Sequence, residues 1–331
     1  MKVIYAEQPG TADTDHSIDS SYLPAGAETG LAVYDEKAGD NSAFYAAIRD
    51  ADVIINSYVF FDKKALDAMD HCKVISFQAT GYNEVDLEYA AQRGIAVVSI
   101  HDYCTQETAE NAVAMMMCLQ RNTHRYNKAI QQDLNWNCYL FPGMKRIEGQ
   151  TMAIIGLGRI GQHVARIVGP GLGMKVIAYD PFLPPEIAEK LGVKLVDLDT
   201  ALAEGDVVSV HMNLTKDNAY MFNKETFAKM KKKPIFINEG RGQMVREADL
   251  AWALDEGRVR AAGVDMLESE YPVLESCPLV GRENVIMNPH SGYWSDTSDY
   301  LVRKYSMENA VNYYEGKLDE VHDIRNGVGV K

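Results

Sequence analysis

Four polar side chains in the second half of the chain could handle protons and grip an acid: Arg241 in "NEGRGQ", Glu268 and Glu270 in "VDMLESEYPV", and His290 in "NVIMNPHSG". Histidine titrates near neutrality, so His290 can give a proton to a developing alkoxide and take it back in the reverse direction. A carboxylate beside it, supplied by either glutamate, would favour the charged ring. An arginine such as Arg241 would hold a substrate carboxylate bidentately and polarise the adjoining carbonyl. Singly, each residue has an ordinary structural use. Together they make a set that surface chance does not readily supply.

The elements that must position them are short apolar runs. From Thr151 onward six strands are expected, "TMAIIG", "KVIAYD", "VVSVHM", "PIFINEG", "AAGVDM" and "NVIMNPH", separated by helical patterns. That alternation predicts a doubly wound parallel sheet, whose ligands bind beyond the carboxyl ends of the strands. The polar residues cluster at those ends: His211 and Asn213 after the third strand, Asn238 to Gly242 after the fourth, Asp265 at the fifth and His290 after the sixth. Pro289 cannot pair in a ladder, so it stops the last strand and presents the imidazole.

The first strand of this array runs into Gly156-Leu157-Gly158-Arg159-Ile160-Gly161, which opens the helix "IGQHVARIV". Gly156 allows the turn, Gly158 lets the backbone approach a pyrophosphate at the helix N-terminus, and Gly161 permits close packing. Asp180 ends the next strand, 19 positions beyond Gly161, where it would accept the adenosine ribose hydroxyls and repel a 2′-phosphate. NAD is therefore expected over NADP. A dinucleotide and a histidine together suggest hydride transfer coupled to proton transfer.

An earlier array holds "KVIYAE", "ADVIINS", "KVISFQ" and "IAVVS" and ends near residue 101. A continuous helix is expected from about Thr105 to Gln131, with Ala112, Met115, Met116 and Leu119 on an apolar face. The helical tail after about Ser298 could return to the first array. The fold class is therefore α/β, with two Rossmann-like or flavodoxin-like domains built on parallel sheets. Residues 1–101 and 299–331 form a discontinuous substrate domain, and residues 102–298 the dinucleotide domain.

Composition narrows the function classes. A chain of 331 residues, 47% hydrophobic and 24% charged, can bury a large core. A formal net charge of -14 and no basic stripe argue against nucleic acid. The five cysteines lack metal-ligand spacing, so no metal site is expected and a reducing, cytoplasmic setting fits. No apolar run approaches membrane-spanning length.

In order, the glycine fingerprint, "NEGRG", "DMLESE" and "NPH" resemble the pattern of the D-isomer-specific 2-hydroxyacid dehydrogenases. The resemblance implies that Arg241 binds the substrate carboxylate, Glu270 rather than Glu268 pairs with the histidine, and His290 is the acid/base. It also implies that Asp265 meets the nicotinamide carboxamide, with His211, Asn213, Glu239 and Gly240 near the cofactor. In the first domain, "FQATGYNEVDLEYAAQRGIAV" resembles the family's glycine loop, which implies backbone N–H groups of Thr80 and Gly81 on the substrate carboxylate. Phe61 or Phe60, Tyr103, Tyr293 and Trp294 are the implied pocket walls, and a homodimer through the cofactor domain is implied too. The large walls favour a D-lactate-like, branched or aromatic 2-hydroxy acid, with hydroxypyruvate, glyoxylate or 3-phosphoglycerate as alternatives. Local stretches, "YDPFLP" and "QETAEN", resemble the C-terminal-binding-protein branch, whose members act as NAD(H)-responsive corepressors. Asn213, Glu239, Gly240 and Tyr271 depart from the family pattern. Of these, Glu239 is expected to set a negative charge beside Arg241.

Overall fold

A computed structural model describes residues 1–330, which divide into two compact units, residues 1–103 with 295–330 and residues 104–294. The first unit is discontinuous. Its sheet contains β1 (Lys2–Glu7), β2 (Glu28–Val33), β3 (Val53–Asn56), β4 (Val74–Phe77) and β5 (Ala96–Ser99), all parallel, plus an antiparallel edge strand β13 (Asp323–Ile324). The strand order is β13-β5-β4-β3-β1-β2. Strands β3, β4 and β5 are buried on both faces, which is why they read as unbroken apolar runs instead of alternating ones. Helix Asp296–Tyr314 supplies one cover: Met307 and Ala310 pack on Val3, Val53, Val74 and Ala96, and Ser76 Oγ donates to Ser306 O at 2.7 Å.

The second unit has seven parallel strands: β6 (Thr151–Ile155), β7 (Lys175–Tyr179), β8 (Lys194–Leu195), β9 (Val207–Val210), β10 (Ile235–Asn238), β11 (Ala261–Val264) and β12 (Val285–Met287). Their order, β12-β11-β10-β9-β6-β7-β8, reverses direction between β6 and β9. That is the doubly wound arrangement. Alternate residues of β6 feed two cores: Met152 and Ile154 face Ala112, Met115, Met116 and Leu119 of one helix layer, while Ala153 and Ile155 face the side of Phe222, Phe227, Phe236 and Leu250. The two-residue strand β8 adds to the six expected strands.

The long helix expected over residues 105–131 is two helices, Thr105–Arg121 and Thr123–Gln131. Asn122 separates them in the left-handed region at φ 53°, a conformation that asparagine adopts more readily than most residues. The methionines lie in the core, Met115 and Met116 being 3% and 1% exposed.

Candidate active site

The glycine fingerprint forms a cradle at the end of β6. Gly156 has φ +95°, and a Cβ there would lie 2.7 Å from Met212 Cγ and 3.0 Å from Met212 N, in the chain leaving β9. A Cβ on Gly161 would collide with the Gly156 carbonyl oxygen, so the helix Arg159–Arg166 can approach β6 only without one. Gly158, by contrast, caps that helix with an extended backbone and open space where its Cβ would stand. The open face at a helix N-terminus fits a pyrophosphate.

Asp180 performs two tasks at once. Its Oδ2 accepts the Leu157 N–H at 2.9 Å and its Oδ1 accepts those of Phe182 and Leu183 at 3.0 and 3.1 Å, which ties the fingerprint loop to the end of β7. A carboxylate has about four lone-pair sites, so acceptor capacity remains for ribose hydroxyls. At the end of β9, His211 Nε2 and Ser209 Oγ share a hydrogen bond of 2.8 Å, while His211 Nδ1 is buried with no partner among the described residues. Burial alone pushes this imidazole down to about 3, so it is neutral and keeps one ring nitrogen for another group. Asn213, Arg159 and Gly158 lie exposed along this edge, and Ile160 is half-buried. The residues present thus fit a dinucleotide.

Beyond β10 the chain is shaped by Asn238, fully buried, whose Oδ1 accepts the Gly240 N–H at 3.1 Å and whose Nδ2 donates to Arg241 O at 3.2 Å. Gly242 follows because a Cβ would strike the Leu267 carbonyl group. Arg241 Nη1 donates to Gly240 O at 2.9 Å.

The ladder of β12 ends where Asn288 N–H donates to Val264 O at 3.0 Å. Pro289 has no N–H to offer, and His290 then adopts φ 50°. Such a backbone is costly for a non-glycine residue and persists only where neighbours enforce it. Asp265 enforces it: its carbonyl accepts the His290 N–H at 2.6 Å, and its carboxylate accepts those of Ser291 and Gly292 at 2.9 and 3.0 Å. Asp265 is 1% exposed and stands under the turn.

With the ring so aimed, His290 Nδ1 lies 2.8 Å from Glu270 Oε2. Burial works to raise the Glu270 carboxyl, but the hydrogen bond and charge of His290, joined by the charge of Arg241, outweigh it and hold the group below its ordinary value. Arg241, Glu270 and His290 are therefore within electrostatic reach of one another. Glu268 is used elsewhere: its Oε1 accepts the Glu247 N–H at 2.7 Å, while Glu247 Oε1 accepts the Glu268 N–H at 2.6 Å. Tyr293 stands edge-on to the His290 ring with centroids 6.0 Å apart, and Trp294, 57% exposed, stands edge-on to Tyr293.

Two expectations need correction. Phe61, expected as a pocket wall, is 0% exposed and packs with Phe44 in the core of the first unit; its neighbour Phe60, 50% exposed, is the one that faces out. A β-bridge between Phe61 and Val85 fixes which of the pair points inward. Glu239, expected to set a charge beside Arg241, is 4% exposed, and its Oε1 accepts Asn111 Nδ2 at 2.9 Å. In the first unit Thr80 and Gly81 are half-buried in the stretch after β4, and Tyr103 is half-buried at the end of that unit's first segment. Sequence reasoning passed over Asn111 and the structural use of Asn238; a polar residue inside the apolar pattern of helix Thr105–Arg121 was the available signal for the former.

A family model described as the NAD-binding domain of D-isomer specific 2-hydroxyacid dehydrogenases matches residues 113–292. A hydroxypyruvate reductase of Blautia hydrogenotrophica is 33% identical over 289 residues, 86% of this chain and 87% of that protein. A D-3-phosphoglycerate dehydrogenase of Archaeoglobus fulgidus is 36% identical over 264 residues, but the match spans 80% of this chain and only 49% of that protein, so the chain spans about half the length of such relatives. Among solved structures, a D-lactate dehydrogenase of Aquifex aeolicus complexed with NAD and lactic acid superposes with a TM-score of 0.83 at 25% identity, over 96% of this chain and 97% of that one. The chain belongs to the D-isomer-specific 2-hydroxyacid dehydrogenase family, and its second unit contains that family's NAD-binding domain.

Proposed function

We propose that this protein is an NAD-dependent oxidoreductase that interconverts 2-oxo acids and D-2-hydroxy acids. The observation that carries the reading is the 2.8 Å pair of His290 Nδ1 and Glu270 Oε2, with Arg241 close enough to lower the same carboxyl. NAD, when bound, supplies the redox half of the chemistry by exchanging a hydride with the substrate carbon. Gly156, Gly158, Arg159, Ile160, Gly161 and Asp180 would hold it, with His211, Asn213 and Gly240 along its border. Glu270 accepts the hydrogen bond of the Nδ1–H, which leaves Nε2 as the ring nitrogen that faces the reaction. From Nε2 His290 gives a proton to the substrate oxygen during reduction and recovers it during oxidation. Arg241 holds the substrate carboxylate and polarises the carbonyl next to it.

Small unphosphorylated acids lead the substrate class. The hydroxypyruvate reductase, and a glyoxylate reductase of Korarchaeum cryptofilum at 30% identity over 86% of both chains, match nearly end to end, and one expected aromatic wall, Phe61, is core. A homodimer is part of the proposal. Leu134 and Trp136, each 88% exposed, and Tyr139, 84% exposed, are large apolar side chains close together in the sequence after helix Thr123–Gln131 that a second copy would cover. A reducing, cytoplasmic setting accords with the five free cysteines.

The test is NADH consumption against glyoxylate, hydroxypyruvate, pyruvate, 2-oxoisocaproate, phenylpyruvate and 3-phosphohydroxypyruvate, with His290→Ala as control. Turnover that disappears in the variant supports the reading. NADH binding without turnover on any acid overturns it and leaves a cofactor-sensing role.

A further inference from the structure

Polar atoms from three separate elements converge beneath the turn that follows His290. An ideal Cβ on Gly292 would lie 2.7 Å from Glu239 Oε2, 2.8 Å from Asp265 Oδ2 and 2.9 Å from Asn111 Nδ2. Two carboxyl groups, 4% and 1% exposed, therefore share one dry site. Their hydrogen-bond partners differ sharply. Asp265 accepts the N–H groups of Ser291 and Gly292, donors that suit an anion. Glu239 accepts only the Asn111 amide on Oε1, and Asn111 in turn accepts Asn288 Nδ2 at 2.9 Å. Glu239 Oε2 is buried with no partner among the described residues.

Such an arrangement cannot carry two charges cheaply, because like charges in a low dielectric repel and neither is solvated. Burial first, and then the charge of Asp265, push the Glu239 carboxyl well above the usual carboxylate range, with the Asn111 bond opposing them. Burial also raises Asp265, but the Gly292 and Ser291 N–H groups and the charge of His290 pull it back, with Glu270 acting upward. Of the two, Glu239 lacks the N–H donors that favour an anion and is the better holder of a proton. The groups facing it are Asp265 from the end of β11, Asn111 from helix Thr105–Arg121 and the Gly292 backbone; Arg241 turns its Nη1 to Gly240 O instead.

We propose that Glu239 is a positioning residue: held as the neutral acid, it donates its Oε2–H to Asp265 Oδ2, and this acid–carboxylate pair fixes the Ser291–Gly292 turn and through it the ring of His290. The kinetic part rests on His290 being the acid/base of the proposed reaction; the protonation part does not. Removing the Glu239 side chain frees Asp265 to turn toward Asn111 and loosens the three N–H bonds that hold residues 290–292. A small residue at position 239 would leave Asp265 to do this alone.

The experiment compares wild type, Glu239→Gln and Glu239→Leu in three measurements. Thermal unfolding across pH reads the protonation. A raised folded-state pKa means that the stabilising contribution is complete below the unfolded value and drains away as pH rises toward the folded one. Glutamine keeps the shape and a donor toward Asp265 but has no proton to lose, so the Tm of Glu239→Gln minus that of wild type should widen from about pH 5 upward. The His290 imidazole 1H–15N signals read the positioning without turnover: they should stay near wild type in Glu239→Gln and move in Glu239→Leu. In NADH-dependent reduction, Glu239→Leu should lose about 10- to 100-fold in kcat, as expected of a misplaced acid/base, and Glu239→Gln should recover most of it. A Tm difference that is flat in pH overturns the neutral acid. His290 signals identical in the two variants overturn the positioning role. Absence of turnover in wild type counts against the proposed function and leaves both of the other measurements decisive.

Discussion

Gly292→Ala tests how tightly the turn is held. The added Cβ meets three polar atoms at 2.7, 2.8 and 2.9 Å, where ordinary contact begins at 3.4 Å, so neighbours must give by roughly 0.5–0.7 Å. Two of them are tethered: Asp265 Oδ2 accepts a backbone N–H at 3.0 Å and Asn111 Nδ2 donates to Glu239 at 2.9 Å, and both carboxyl groups are buried. If the backbone yields instead, residue 292 retreats and takes His290, two residues away, out of its 2.8 Å contact with Glu270. Overpacking of this size costs about 1–3 kcal/mol of stability. A displacement of the acid/base approaching 1 Å costs up to about 100-fold in kcat. The dinucleotide cradle at Gly156–Gly161 shares none of these contacts, so the Kd for NADH should stay within about threefold of wild type. Steady-state kinetics, NADH fluorescence titration and thermal unfolding check the three numbers. The double variant Gly292→Ala/Glu239→Ala sharpens the test, because removing the glutamate opens space for the methyl group. Its loss in kcat should be smaller than the two single losses combined, a coupling that independent sites would not show. Unchanged kcat and Tm in Gly292→Ala would mean that the turn has slack, and the account of how Asp265 places His290 would fall.

Glu270→Gln removes the anion that organises His290, and kcat should fall about 100-fold or more while NADH affinity is kept, measured by the same kinetics and titration. The stability sign also follows: because the Glu270 carboxyl is lowered in the fold, its contribution is present above the unfolded value and is lost as pH falls through the folded one, so the Tm gap between wild type and Glu270→Gln should shrink on acidification. Asp180→Ser strips the charge that would oppose a 2′-phosphate and also frees the Leu157 N–H, so kcat/KM for NADH should drop while that for NADPH rises, read from both cofactors in parallel. Phe236→Ala empties a buried ring that lies 5.1 Å from Phe222 and 5.4 Å from Phe227, and denaturant unfolding should report a loss of about 3–5 kcal/mol.

What the sequence disclosed and what it hid have separate physical causes. The cradle was legible because a strand, a GxGxxG and a helix are contiguous, and each glycine answers a local need that shows in the residue itself. The Arg241, Glu270 and His290 grouping was legible for a topological reason: parallel strands all end at one edge, so residues far apart in sequence are neighbours there once the strand ends are known. Edge strands hid. β8 and β13 have two residues each, and β2, "ETGLAV", mixes charge and glycine into a run too weak to separate from a loop. The phase of Phe60 and Phe61 hid too, since two adjacent aromatics look alike until a bridge to Val85 turns one inward. Glu239 is the instructive case. Its residue type announces a charge, and its place two residues before an arginine suggested where that charge acts. Its actual state is set by Asn111, Asp265 and Gly292, which lie 128, 26 and 53 positions away along the chain and meet it only when a helix, a strand end and a turn are assembled. A carboxylate reads as charged from sequence because water is the default surrounding. The fold withdraws the water from this one and puts a second carboxylate in its place, and the ionisation follows the surroundings instead of the letter.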